Sequence, residues 1–90
     1  VAEPGAAAYS AAKAALLRMT ESLAAEVRGR GVTANCILPS AIDTPQNRAA
    51  LEPAAWPTLV PTDAIADVIA FLTSPAARAL NGVALPVGGA

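Results

Sequence analysis

The stretch GVTANCILP, from Gly31 to Pro39, constrains this chain more than any other. Its residues 32–38 are mostly apolar and stand between a glycine and a proline. A short run of this kind reads as a strand buried on both faces, the habit of parallel sheets covered by helices. The segment before it agrees. From residue 6 to residue 28 the chain is rich in strong helix formers, lacks Gly and Pro, and is stopped by Gly29-Arg30-Gly31. Leu16, Met19, Leu23 and Val27 recur at steps of three or four and mark a core stripe. Alanines at 11, 12, 14 and 15 make another face narrow enough for a close neighbour.

The rest of the chain extends the pattern. Pro4-Gly5 marks a turn ahead of the first helix. Thr44-Pro45 has the chemistry of an N-cap and a first helical position, so a short helix starts there. The proline-rich residues 52–61 read as an irregular loop. Thr62 caps another helix, with Ile65, Val68, Ile69 and Leu72 as its buried stripe. Ser74-Pro75 caps a further short turn that ends at Asn81-Gly82, and VALPV, residues 83–87, forms a second strand whose pairing Pro86 limits. The order is helix, strand, helix, helix, strand. A strand, a crossover and a strand make a right-handed parallel unit, so the class is α/β.

Composition bears on what such a fold can do. The chain has 90 residues, of which 54% are hydrophobic and 14% charged. That is more apolar material than one small domain hides, and it points to an oligomer or a piece of a larger domain. The net charge is −1 and the six basic residues are scattered, which leaves no footprint for nucleic acid. Tyr9, Trp56 and Phe71 are too few to stack bases. The single cysteine, Cys36, has no partner for an internal disulfide and suits a reducing cytoplasm. No apolar run reaches the length of a membrane span.

Tyr9 is the chain's one tyrosine and Lys13 its one lysine. Four positions apart on a helix, they share a face. A free phenol ionises near pH 10, too high for ready proton exchange at neutral pH (about 10 is its reference value). An ammonium a few ångströms away favours the phenolate, and so does the positive end of a helix. Taken alone, the pair also reads as an edge aromatic beside a solvated cation.

The neighbourhood resolves this choice. YSAAKAALLRMTESLAAEVRGRGVTANCILPSAIDTP closely resembles the second half of the short-chain dehydrogenases/reductases. In that family a Tyr-x-x-x-Lys helix runs into a strand carrying the equivalents of Asn35 and Pro39, then an Ile-x-Thr turn. NGVALPVGG is similar to the family's last strand. The resemblance implies a C-terminal fragment of a Rossmann-type doubly wound parallel sheet. It implies that Tyr9 is the catalytic acid/base. Lys13 would favour its ionised form and bind the nicotinamide ribose, while Ser10 merely accompanies the motif. Pro39, Ser40 and Ile42 would line the nicotinamide pocket, and Thr44 would reach the carboxamide or a phosphate. Asn35 is expected to support the strand.

Ser40 departs from the glycine usual in the family, and a backbone of positive φ there would strain it. ILPSAIDTPQNR resembles a dihydropteridine-reductase-like variant that also lacks this glycine. Asp43, Asn47 and Arg48 read equally as part of that variant or as a solvated helix start.

The family's glycine-rich cofactor turn, its catalytic Ser, its upstream Asn and its NAD/NADP-selecting residue all fall outside the chain. Gly29-x-Gly31 precedes a strand and cannot replace that turn. Residues 1–90 are therefore expected to be the C-terminal portion of one NAD(P)-binding Rossmann domain whose N-terminal half is absent. The isolated chain would be inactive. The cofactor is NAD or NADP, and the substrate a small carbonyl or alcohol: a ketone or 3-oxoacyl thioester, or alternatively a quinonoid pterin. A homodimer or homotetramer is implied, with no membrane or nucleic-acid partner. The rival reading is a helical module that acts by association alone, or a gene fragment without activity. Trp56 fits a packing anchor as well as a substrate contact.

Overall fold

A computed structural model describes residues 6–88, and the Pro4-Gly5 turn lies outside the described residues. Helix α1 spans Ala7–Val27, strand β1 Cys36–Pro39, helix α2 Pro45–Ala49, helix α3 Thr62–Leu72 and strand β2 Ala84–Val87. Turns of 3-10 helix occupy Pro53–Thr58 and Pro75–Ala77. The expected order stands, the turn after Ser74 included, with the Pro53–Thr58 turn added. None of the described helices is long and apolar enough to cross a membrane.

β1 and β2 form a two-stranded sheet. The Cys36 N–H donates to the Val83 carbonyl (3.0 Å) and the Ser40 N–H to the Val87 carbonyl (3.1 Å). Both strands advance together in this register, so they run parallel. Carbonyls 83 and 87 face β1, and the period of two turns Pro86 the other way. Its missing N–H therefore takes no bond from the ladder.

The chain divides into two units. One takes in α1, the loop up to Cys36, and Leu80–Ala84; the other holds Ile37–Ala79 and the chain from Leu85 on.

In the first unit α1 ends as its sequence requires. Gly29 and Gly31 take φ of +78° and +73°, which side chains disfavour. The strand does not begin at residue 32 as expected. Val32 is exposed, and the Ala34 N–H donates to the Asn81 side-chain oxygen (2.9 Å) instead of to a ladder. The Gly82 N–H still donates to the Ala34 carbonyl (2.8 Å), and the Asn81 and Asn35 side chains take the N–H groups of Ala34 and Val83 beside it. Nor is β1 buried on both faces: all four of its residues are half-buried.

The α1 stripe is a second correction. Leu16, Met19 and Leu23 are exposed, Met19 at 69%, and Val27 is half-buried. The buried residues of this helix are Thr20 and Ala24, whose small side chains admit close neighbours. Thr20 is accommodated because its hydroxyl donates to the Leu16 carbonyl (2.8 Å).

In the second unit the expected irregular loop contains the Pro53–Thr58 turn and, just after it, the buried residues Leu59 and Val60. Their burial follows from a bridge. Ile42 and Val60 pair in parallel, through the Asp43 N–H to the Val60 carbonyl (2.8 Å) and the Val60 N–H to the Ala41 carbonyl (2.9 Å). Thr62 does not cap α3: Pro61 holds the N-cap position and Thr62 is the first helical residue. Ile65, Val68 and Leu72 are half-buried and Ile69 is exposed, so that stripe is not a buried core either. Ser74 precedes the Pro75–Ala77 turn without capping it, since its hydroxyl donates back to the Phe71 carbonyl (2.6 Å).

Candidate active site

The candidate residues fall into two groups, one in each unit. In the first, Tyr9 is the third residue of α1 and Lys13 lies one turn on. The Lys13 ammonium sits 5.3 Å from the centroid of the Tyr9 ring, a cation–π distance. Tyr9 is 64% exposed, so its phenol is open to a reactant. Among the described residues no side chain caps the start of α1, and no acidic residue stands in its first turn. The spacing thus brings both groups to one face, as expected.

Asn35 supports its strand. Its amide donates to the Leu80 carbonyl (3.1 Å) and its oxygen accepts from the Val83 N–H (3.1 Å). Asn81 complements it, accepting from Ala34 and donating to the Ala24 carbonyl at the end of α1 (2.9 Å each).

In the second group Pro39 ends β1, Ser40 and Ile42 follow, and Thr44 is the N-cap of α2. The Thr44 hydroxyl oxygen accepts from the Asn47 N–H (3.1 Å), which leaves its own proton to donate elsewhere. Among the described residues no non-glycine has positive φ, so Ser40 carries no backbone strain. Its hydroxyl leans toward the Gly88 carbonyl (3.4 Å). The Asn47 amide holds the Ile42 carbonyl (2.7 Å).

Asp43, Asn47 and Arg48 stand at a partly exposed helix start where their side chains are bonded. The Arg48 guanidinium grips Asp43 with two bonds (2.6 and 2.9 Å) and lies 4.8 Å from the Trp56 ring centroid. The Trp56 indole N–H donates to the Arg48 carbonyl (2.9 Å). Hydrogen bonding from Arg48 holds the Asp43 carboxyl below its ordinary 3.8; burial opposes this and the guanidinium charge adds to it. Asp43 in turn raises the Arg48 guanidinium. Sequence reasoning missed this cluster because Arg48 meets residues five before and eight after it, spacings that no helical rule couples.

Near α3 and β2 a groove of about 600 Å³ is lined by Asp67, Val68, Phe71, Leu85, Pro86, Val87 and Gly88. It holds none of the candidate residues. Asp67 is its one titratable group, so its chemistry is that of an uncovered apolar wall. Among the described residues no cluster of side chains could hold a metal ion.

Comparison with known proteins agrees with the order of elements. The family model described as enoyl-(acyl carrier protein) reductase matches residues 1–89. The 3-oxoacyl-(acyl-carrier-protein) reductase FabG of Vibrio cholerae is 39% identical over 93 residues, covering 94% of this chain and 38% of that protein. The chain therefore spans well under half the length of this relative. A 4-hydroxyisoleucine dehydrogenase complexed with NADH superposes with a TM-score of 0.84 at 29% identity, over 99% of this chain and 41% of that one. A blue fluorescent protein from a metagenomic library, in complex with NADPH, gives 0.76 at 38% identity, over 90% and 36%. Together with the Tyr9–Lys13 helix that leads into a parallel strand, these matches mean that the chain belongs to the short-chain dehydrogenase/reductase family, whose members are oxidoreductases with a Rossmann-type fold.

Proposed function

We propose that this chain is the C-terminal portion of an NAD(P)(H)-dependent oxidoreductase that moves hydride between nicotinamide and a carbonyl or alcohol carbon. Tyr9 is the acid/base. In the reductive direction hydride leaves the nicotinamide for the carbonyl carbon, and the Tyr9 hydroxyl gives its proton to the oxygen. Oxidation of the alcohol runs the same transfers in reverse. Lys13 stabilises the negative charge that develops on the Tyr9 oxygen. The observation that carries this reading is the Lys13 ammonium held 5.3 Å from the ring of an open Tyr9 in the first turn of α1.

Pro39, Ser40 and Ile42 form the wall against the nicotinamide, and the free hydroxyl proton of Thr44 suits the carboxamide or a phosphate oxygen. Relatives complexed with NADH and with NADPH support a nicotinamide dinucleotide and leave both choices in the assay. The reductase named for the Vibrio relative supports a ketone or 3-oxoacyl thioester as substrate, which ranks ahead of a quinonoid pterin. The functional form is a homodimer or homotetramer. In the intact protein, Tyr9→Phe removes the transferable proton and keeps the ring. Turnover is expected to fall about 10²–10⁴-fold with nucleotide binding retained. Unchanged turnover on every carbonyl substrate would show that another group moves the proton.

A further inference from the structure

Arg48 is the most heavily engaged side chain of the second unit, yet none of the chemistry above requires it. Its fork meets both carboxylate oxygens of Asp43, its plane faces Trp56, and its carbonyl takes the indole proton. The two partners belong to different segments. Asp43 lies in the turn at residues 42–44, where its N–H is fixed to the Val60 carbonyl and the preceding Ile42 carbonyl is fixed by Asn47. Trp56 belongs to the Pro53–Thr58 turn. A planar, five-donor group grips both oxygens of a carboxylate while stacking flat on an aromatic face, a geometry that a point-like ammonium does not reproduce.

We propose that Arg48 is a positioning residue for nucleotide binding, fixing residues 42–44 and the Pro53–Thr58 turn as one piece. This rests on the reading above in which Ile42 and Thr44 meet the nicotinamide. A turn held at its carboxylate, at a backbone N–H and at a carbonyl presents Ile42 and Thr44 in one orientation. The dinucleotide then need not order the turn as it binds. Released from Arg48, residues 42–44 keep their backbone bridge and lose the side-chain tie to the segment beyond α2.

Calorimetric titration of the intact protein with NADH and with NADPH tests this. Arg48→Lys keeps the charge and loses both the fork and the stack, so the tighter nucleotide is expected to bind about ten-fold more weakly. Asp43→Asn should cost a similar factor, and the double variant no more than either single one, because one network is lost once. The nucleotide KM should rise by the same factor while kcat falls less. Trp56→Phe, which removes the indole bond, weakens the ring contact and leaves the Asp43 pair intact, should weaken binding by about three-fold and guards against misfolding of the charge variants. Binding within about two-fold of the parent in the folded single variants, or losses that simply add, would overturn the proposal. Calorimetry needs no turnover, so failure of Tyr9 as acid/base would leave this result readable.

Discussion

Gly82 illustrates what a single residue decides. Its φ is +78°, and a Cβ placed on it would stand 3.2 Å from the Ala24 Cβ. Both the backbone conformation and the space select glycine. Gly82→Ala is expected to destabilise the intact protein by about 1–3 kcal/mol, read as a lower denaturant midpoint at unchanged slope. No shift in midpoint would mean that the turn relaxes freely. Ser40 is the opposite case. It occupies a position where the family favours glycine, and its φ is ordinary, so the substitution carries no strain. Tyr9 and Lys13 needed only helical spacing to meet, which is why they were legible from the sequence.

At the scale of elements, α1 and β2 owe their exact ends to side chains more than to propensity. Asn81 bonds Ala34 on one side and the Ala24 carbonyl on the other, while Asn35 reaches both Leu80 and Val83. Three of these bonds join the Gly82 N–H to Ala34 carbonyl bond just before Cys36, and the fourth ties Asn81 to α1. Asn81→Asp keeps the acceptor for Ala34 but sets a carboxylate against the Ala24 carbonyl. It is expected to cost about 1–3 kcal/mol in thermal or chemical unfolding, comparable to Asn81→Ala. An Asp variant as stable as the parent would show that the donor bond to Ala24 contributes nothing. The short helix α2 was legible because Thr44-Pro45 is local chemistry. The burial of Leu59 and Val60 was not, because it depends on a bridge to Ile42 far back in the chain.

At the scale of the whole molecule, the chain leaves much apolar surface uncovered. Among the described residues only Ala24, Leu59, Val60 and Ala77 are buried hydrophobics, while Leu16, Met19, Leu23, Ile69 and Phe71 are exposed. So little burial leaves almost nothing to offset the entropy of ordering the backbone. The 90 residues expressed alone are therefore expected to bind a hydrophobic dye and to melt broadly, and to lack turnover. A sharp calorimetric transition from a monomer would contradict this. The same observation explains why the periodic stripes of α1 and α3 misled as core positions. Periodicity reports which face of a helix is apolar, and it does not report whether a neighbour covers that face.

The sequence by itself determined the helices, the glycine stop of α1, the Thr44 cap, the parallel class and the meeting of Tyr9 with Lys13. All of these follow from interactions within a few residues or from the period of a regular element. Tertiary structure alone decided which apolar residues are buried, where β1 starts, and how Arg48 joins Asp43 to Trp56. Those outcomes depend on contacts between segments distant along the chain, and no local rule of propensity or spacing encodes them.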